Sequence, residues 1–154
     1  MAALPPLQSD LPLDLPGASQ DEMPRIAALA KLPLFFALSG KRAIIAGGTA
    51  GCAWKAELLA ACGAMVDIYA PVCDASMTAL LRRGAAHSAG CLRCHLRHWR
   101  MADFADAALA IGDCADASEA AAFHRAACLA GVPVNVIDRP EFCQFQFGAI
   151  VNRS

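Results

Sequence analysis

IIAGGTAGCAWKAELL, residues 44–59, is the stretch that decides how the rest of the chain is read. Two isoleucines run into a glycine-rich turn, and the turn runs directly into alanine and leucine, so an extended segment becomes a helix with no intervening loop. This is the pattern of the first βα turn of a dinucleotide-binding sheet. Glycine serves it because a backbone without Cβ can approach a pyrophosphate closely, while the free N–H groups and dipole of the new helix stabilise its charge. Gly47, Gly48, Thr49, Ala50 and Gly51 are therefore the candidate cofactor-binding residues. The spacing departs from G-x-G-x-x-G/A, because Thr49 stands at the second glycine position and Cys52 at the third. A tight strand-to-helix turn of any α/β protein is the alternative reading.

Working outward, the spacing predicts a strand at Arg42–Ala46 and a helix over 51–62, with Leu58, Leu59 and Cys62 turned inward and Gly63 as its C-terminal glycine. Residues 64–70 read as a second strand closed by Pro71. Residues 74–84 read as a short helix with Asp74 or Ser76 near its start and Gly84 beyond its end. A buried strand over 108–112 precedes a helix over 116–131, where Asp116 and Glu119 have the spacing of a capping box. PVNVI, 133–137, is then a last parallel strand that delivers Asp138 to its carboxyl end. Strands alternating with helices at these lengths imply a Rossmann-like, doubly wound parallel α/β sheet. Asp67 is the acidic candidate for a ribose contact, but it lies inside AMVDIYA rather than at the strand end, and no such role is assigned to it.

With 154 residues, 57% hydrophobic and 18% charged, the chain has ample material for one core. A formal net charge of -1 and dispersed Lys and Arg give no basic stripe for nucleic acid. Apolar stretches are interrupted too soon to span a bilayer, and the N-terminus lacks a secretory pattern, so the expected location is cytoplasmic. The eight cysteines are then expected as reduced thiols. Residues 1–24, rich in proline, are expected to be a flexible extension, with 25–154 forming the folded domain and LPLFFAL, 32–38, a lead-in to the first strand.

The C-terminal run VNVIDRPEFCQFQFGAIVNRS resembles the dehydrogenase module of siroheme synthases, the precorrin-2 dehydrogenase and sirohydrochlorin ferrochelatase family, whose pattern is close to N-V-V-D-x-P-E-x-C-x-F-x-F-P-A-I-V-x-R. Asn135, Val136, Asp138, Pro140, Glu141, Cys143, Phe145, Phe147, Ala149, Ile150, Val151 and Arg153 fall in register. The glycine-rich turn with Lys55, the Ala70-Pro71 strand ending and LPLFFALSGKRAIIAGG are also similar to the family, so the likeness runs over residues 32–154. The departures are Thr49, Cys52, Trp54 in place of an arginine, Gly112, Asp113, Cys114 and Ala115 after the fourth strand, and Gly148 in place of a proline.

The resemblance implies NAD as cofactor and removal of a hydride and a proton from precorrin-2 to give sirohydrochlorin. Fe²⁺, for insertion into sirohydrochlorin, is the second partner it implies. Asp138 matches the family's essential aspartate, with a role as general base or in orienting the macrocycle and any entering Fe²⁺; an aspartate capping a turn before Arg139 and Pro140 is its alternative. Arg139, Arg153 and Asn135 are the substrate-binding candidates, and Lys55 and Arg125 are further cations that could meet substrate carboxylates. The family continues past the point where this chain stops at Ser154, so the expectation is a truncated dimerisation segment in which residues 143–151 form a C-terminal strand used in a homodimer. A non-catalytic relative, serving as a tetrapyrrole-binding or interaction module, is the competing function.

CLRCHLRH, residues 91–98, competes for a metal role, since C-x-x-C-H is a haem attachment pattern and Cys91, Cys94, His95 and His98 could ligate zinc. Alternation of Leu92, Cys94 and Leu96 fits a plain third strand instead, and no metal is expected there.

Overall fold

The computed structural model describes residues 26–85 and 90–148. Residues 36–154 form one compact unit, and Met1–Phe35 are a second, whose described part, 26–35, holds neither helix nor strand. The expected extension over 1–24 lies outside the described residues.

Five parallel strands form the sheet: β1 (Arg42–Ala46), β2 (Met65–Tyr69), β3 (Cys91–His95), β4 (Ala107–Gly112) and β5 (Val134–Val136), in the order β3-β2-β1-β4-β5. Side chains alternate across each strand, so β1 sends Ala43 and Ile45 to one face and Ile44 and Ala46 to the other. The first face is covered by α1 (Ala50–Ala61) and α2 (Ala75–Arg83), and the second by α3 (Ala117–Leu129). The doubly wound arrangement is thus observed. Strand order reverses between β2-β1 and β4, and such a switch point opens a crevice at the strands' carboxyl ends.

Local signals set the helix starts. Asp74 accepts from the Met77 N–H at 2.8 Å, Asp116 from the Glu119 N–H at 2.8 Å, and Glu119 reaches back to the Ala115 N–H at 2.8 Å. The buried face of α1 is Cys52, Ala53, Ala56, Leu59 and Ala60. Cys62, expected inward, is the exposed C-cap. CLRCHLRH does form the third strand; Leu92 and Cys94 pack against the core, but β3 ends at His95 and leaves Leu96 exposed.

The C-terminal run is where expectation and structure part. Residues 143–148 are not a strand, and 149–154 lie outside the described residues. After a 3-10 turn at Pro140–Phe142 the chain doubles back along the free edge of β5. The Gln144 N–H donates to Val134 O at 2.8 Å, the Gln144 side-chain oxygen accepts from the Val134 N–H, and the Cys143 thiol takes the Val136 N–H at 3.2 Å. Side chains thus stand in for a strand's backbone partners along the edge of β5. Phe145 and Phe147 pack against the α1 side of the core, and His124 on α3 donates from Nδ1 to Phe142 O at 3.0 Å.

Candidate functional site

The glycine-rich turn leaves β1 at the crevice, and its two leading glycines are required by the protein's own packing. A Cβ on Gly48 would lie 2.1 Å from Val72 O, because the loop between β2 and α2 runs directly over it and the Asp74 N–H donates to Gly48 O at 2.8 Å. Gly47 has φ +129°, and a Cβ there would sit 2.8 Å from Cys52 Sγ. Gly51 differs. Its Cβ position meets nothing nearer than Ile137 Cδ1 at 3.6 Å and Thr49 Oγ1 at 3.8 Å, leaving an exposed cradle at the start of α1. Ala50 and Gly51 open that helix, so their N–H groups have no intrahelical partner and are placed to receive an anion.

Thr49, the helix N-cap, accepts from the Cys52 N–H at 3.3 Å and donates its own hydroxyl to Asp113 Oδ2 at 2.5 Å. Asp113 follows β4 directly and places a carboxylate at the same mouth. A pyrophosphate would find free N–H donors and the positive end of α1 there, with one opposing charge. The residues fit the phosphates of a dinucleotide on those terms, with Gly51, Ala50 and Thr49 as the holding set.

Ile137, which touches Gly51's open side, joins the turn to the end of β5. Asp138 follows it, exposed, with φ 58°. Left-handed backbone at a non-glycine residue costs about 1 kcal/mol, and aspartate is among the few that tolerate it. Among the described residues Asp138 has no hydrogen-bond or ion-pair partner. It lines an open cavity of about 340 Å³ together with Lys55, Asn135, Arg139, Cys143 and Phe147. Lys55 Nζ lies 3.5 Å from the centre of the Phe147 ring and 4.6 Å from that of Trp54, and burial lowers its pKa. Arg139 reaches back to Ala115 O at 3.4 Å. Asn135 is buried, and its amide donates to Phe145 O at 2.9 Å and to Cys143 Sγ at 3.4 Å, so its donors hold the returning tail.

The structure therefore brings Gly51, Lys55, Asn135, Asp138 and Arg139 to one rim. Arg125 is exposed on α3, and Arg153 lies outside the described residues. Ile137 is a site residue that sequence reasoning missed, and Asp113, Cys143 and Phe147, noted there only as departures from or matches to the family pattern, were given no site role. The rule that ligands bind beyond the carboxyl ends of parallel strands pointed to Asp113 and Ile137, one residue past β4 and β5. Cys143 and Phe147 fall in the family pattern, but their alternation reads as a strand and nothing local places them on this rim.

Asp67 belongs elsewhere. At 2% exposure it is bound by Arg42 Nε at 2.5 Å, Arg93 Nε at 2.9 Å and His95 Nε2 at 3.1 Å, so no oxygen remains for a ribose. Burial alone would raise its carboxyl, but the hydrogen bonds from His95 and Arg42 and the charges of Arg42 and Arg93 outweigh that and hold it below the ordinary range. His95, one of the four possible zinc ligands, is thereby committed to this cluster.

A family model described as "Putative NAD(P)-binding" matches residues 34–149. The chain belongs to that family. Among curated proteins it is similar to siroheme synthases: 38% identical to that of Azotobacter vinelandii and 37% to that of Stutzerimonas stutzeri, each over 123 residues, 80% of this chain and 25% of the relative. The resemblance drawn from the C-terminal run is borne out. The chain spans about a quarter of the length of these relatives. Among solved structures, "SirC, precorrin-2 dehydrogenase" superposes with a TM-score of 0.52 at 15% identity, over 79% of this chain and 54% of that one, which supports the Rossmann-like fold. No helix among the described residues is long and apolar enough to cross a membrane.

Proposed function

We propose that this chain is an NAD-dependent precorrin-2 dehydrogenase that oxidises precorrin-2 to sirohydrochlorin. The observation that carries it is Asp138: a carboxylate unpartnered among the described residues, on left-handed backbone, at the carboxyl end of β5, on the wall of a cavity that adjoins the anion cradle at Gly51. The siroheme synthase relatives supply the substrate class. NAD⁺ contributes the hydride acceptor when bound. A carboxylate oxygen of Asp138 would take the proton that leaves the macrocycle alongside the hydride, so the ring loses two electrons and two protons in all, one hydrogen as hydride and the other as the proton on Asp138. Lys55 Nζ and the Arg139 guanidinium pair with the substrate's peripheral carboxylates, and an open cavity of about 340 Å³ receives one edge of the ring. Fe²⁺ insertion with Asp138 as a ligand, a homodimer and a cytoplasmic location belong to the same reading.

The Thr49–Asp113 bond favours a second reading, in which a carboxylate closes the cofactor mouth and the module binds tetrapyrrole without turnover. An absorbance assay of precorrin-2 oxidation with NAD⁺ separates the two. Turnover in the natural chain, lost in Asp138→Asn while NAD⁺ binding persists, is the expected result. Absence of NAD⁺ binding by calorimetry in both proteins would sink the dehydrogenase reading, and equal turnover would reduce Asp138 to a turn residue.

A further inference from the structure

β2 and β3 run parallel, and Cys94 is paired with Ile68 near the end of β3, its side chain turned to the face that α1 and α2 cover. The chain leaving β2 turns back over the same face and brings Cys73 to it. The two sulfurs lie 4.0 Å apart, both residues half-buried. Among the described residues this is the only pair of cysteine sulfurs within hydrogen-bonding distance.

Cys73 sits in the loop that presses on the glycine-rich turn. A Cβ on Gly48 would be 2.9 Å from Cys73 Cα and 2.1 Å from Val72 O, and the next residue, Asp74, donates its N–H to Gly48 O. Asp74 also starts α2 by capping Met77. Cys94, by contrast, is held in the strand ladder. Of the two backbones, the loop at Cys73 is the one outside a strand ladder.

We propose that Cys73 and Cys94 are a reversible thiol–disulfide pair that sets the position of the β2–α2 loop on Gly48. A disulfide needs its sulfurs at about 2.05 Å, so closure draws them together by about 2 Å from the observed 4.0 Å. Whatever rotation about the Cα–Cβ bonds leaves uncovered moves the loop relative to Gly48.

The oxidant is a low-molecular-weight disulfide such as oxidised glutathione. The Cys73 thiolate attacks one of its sulfurs, the oxidant's S–S bond breaks, and one glutathione thiol leaves. Cys94 sulfur then attacks Cys73 Sγ in the mixed disulfide, forms the internal bond and expels the second glutathione. Two protein thiols lose two electrons, one external disulfide gains them, and the two protein protons end on the two glutathione thiols. Burial, with Cys73 beside it, pushes the Cys94 thiol up to about 11, which disfavours it as the first attacker and leaves it the second, intramolecular step, where proximity offsets a small thiolate fraction.

The bond does not depend on the dinucleotide reading, but its consequence for cofactor affinity rests on it, so the test reads the loop directly. The full chain is equilibrated in glutathione buffers of rising oxidised fraction, remaining thiols are alkylated, and linked peptides are mapped by mass spectrometry. A Cys73–Cys94 link, lighter by two hydrogens and reversed by dithiothreitol, is expected before any other intramolecular link. In amide NMR spectra the Gly48 and Asp74 signals should shift on oxidation, and not in Cys94→Ser or Cys73→Ser. Separate glutathione adducts on the two cysteines, or a link between other cysteines in their place, would overturn the pair. A link that leaves both amides unmoved would overturn the control of the loop. NAD⁺ titration of the oxidised and reduced chain in parallel tests the cofactor reading: absence of binding in both, with the link and the shifts intact, counts against that reading alone.

Discussion

Asp67 and Asp138 are both aspartates on parallel strands or at their ends, and they have opposite fates on the two sides of the sheet. On the β2–β3 side Asp67 is buried and takes hydrogen bonds from Arg42, Arg93 and His95, while Tyr69 accepts from Arg42 Nη2 at 2.9 Å and stacks on His95. Arg97 closes that cluster with two 2.8 Å bonds to Asp103. On the β5 side Asp138 is exposed, held in a conformation that few residues accept, and unpartnered among the described residues. A buried carboxylate must be satisfied, or its desolvation destabilises the fold. A carboxylate left free on strained backbone has no such structural return, which is why it directs attention to chemistry.

The largest expected effect separates the two directly. Asp138→Asn should lower precorrin-2 turnover by at least about 100-fold while changing unfolding stability by no more than about 0.5 kcal/mol. A fall in stability with turnover intact would invert the comparison. Asp67→Asn should do the reverse: a loss of about 2 kcal/mol in urea unfolding, discounted because Arg93 and His95 are partly exposed, and NAD⁺ affinity unchanged.

The same contrast has a pH signature. Hydrogen bonding from Arg97 holds the Asp103 carboxyl down to about 2, and Asp67 is also held below its ordinary range, so both groups have a lower pKa folded than unfolded. Their stabilisation is fully present above about pH 4, the unfolded carboxyl value, and is lost as pH falls below it, that of Asp103 towards about 2. Thermal midpoints measured from pH 6 down to pH 2 should fall through that window, less steeply in Asp67→Asn. An unchanged slope in the variant would remove Asp67 from the account.

The smallest effect sharpens the cofactor side. Asp113→Asn removes the opposing charge at the α1 N-terminus and keeps an acceptor for Thr49, so NAD⁺ should bind more tightly by about 1 kcal/mol, roughly fivefold. Equal or weaker binding by calorimetry would mean that Asp113 does not face the phosphates.

The sequence by itself determined the elements and their order. IIAGG running into a helix, Asp74 and Asp116 at helix starts, and apolar runs closed by Pro71 or Gly131 are local signals, set by backbone hydrogen bonding and side-chain period within a few residues. It also placed Asp138 at a strand's carboxyl end, since that needs only the strand's limit. Tertiary structure alone decided which polar groups were satisfied. Asp67 finds its partners 25 to 28 residues away, Thr49 meets Asp113 across 64, and the carbonyl that makes Gly48 obligatory arrives from the loop after β2. The run CQFQFG shows the same limit: its alternation reads as a strand, yet side chains of Cys143 and Gln144 bond the edge of β5 and the backbone stays irregular. Alternation reports which residues are apolar, whereas the choice between a ladder and a side-chain clamp depends on what lies beside the segment once the sheet has formed.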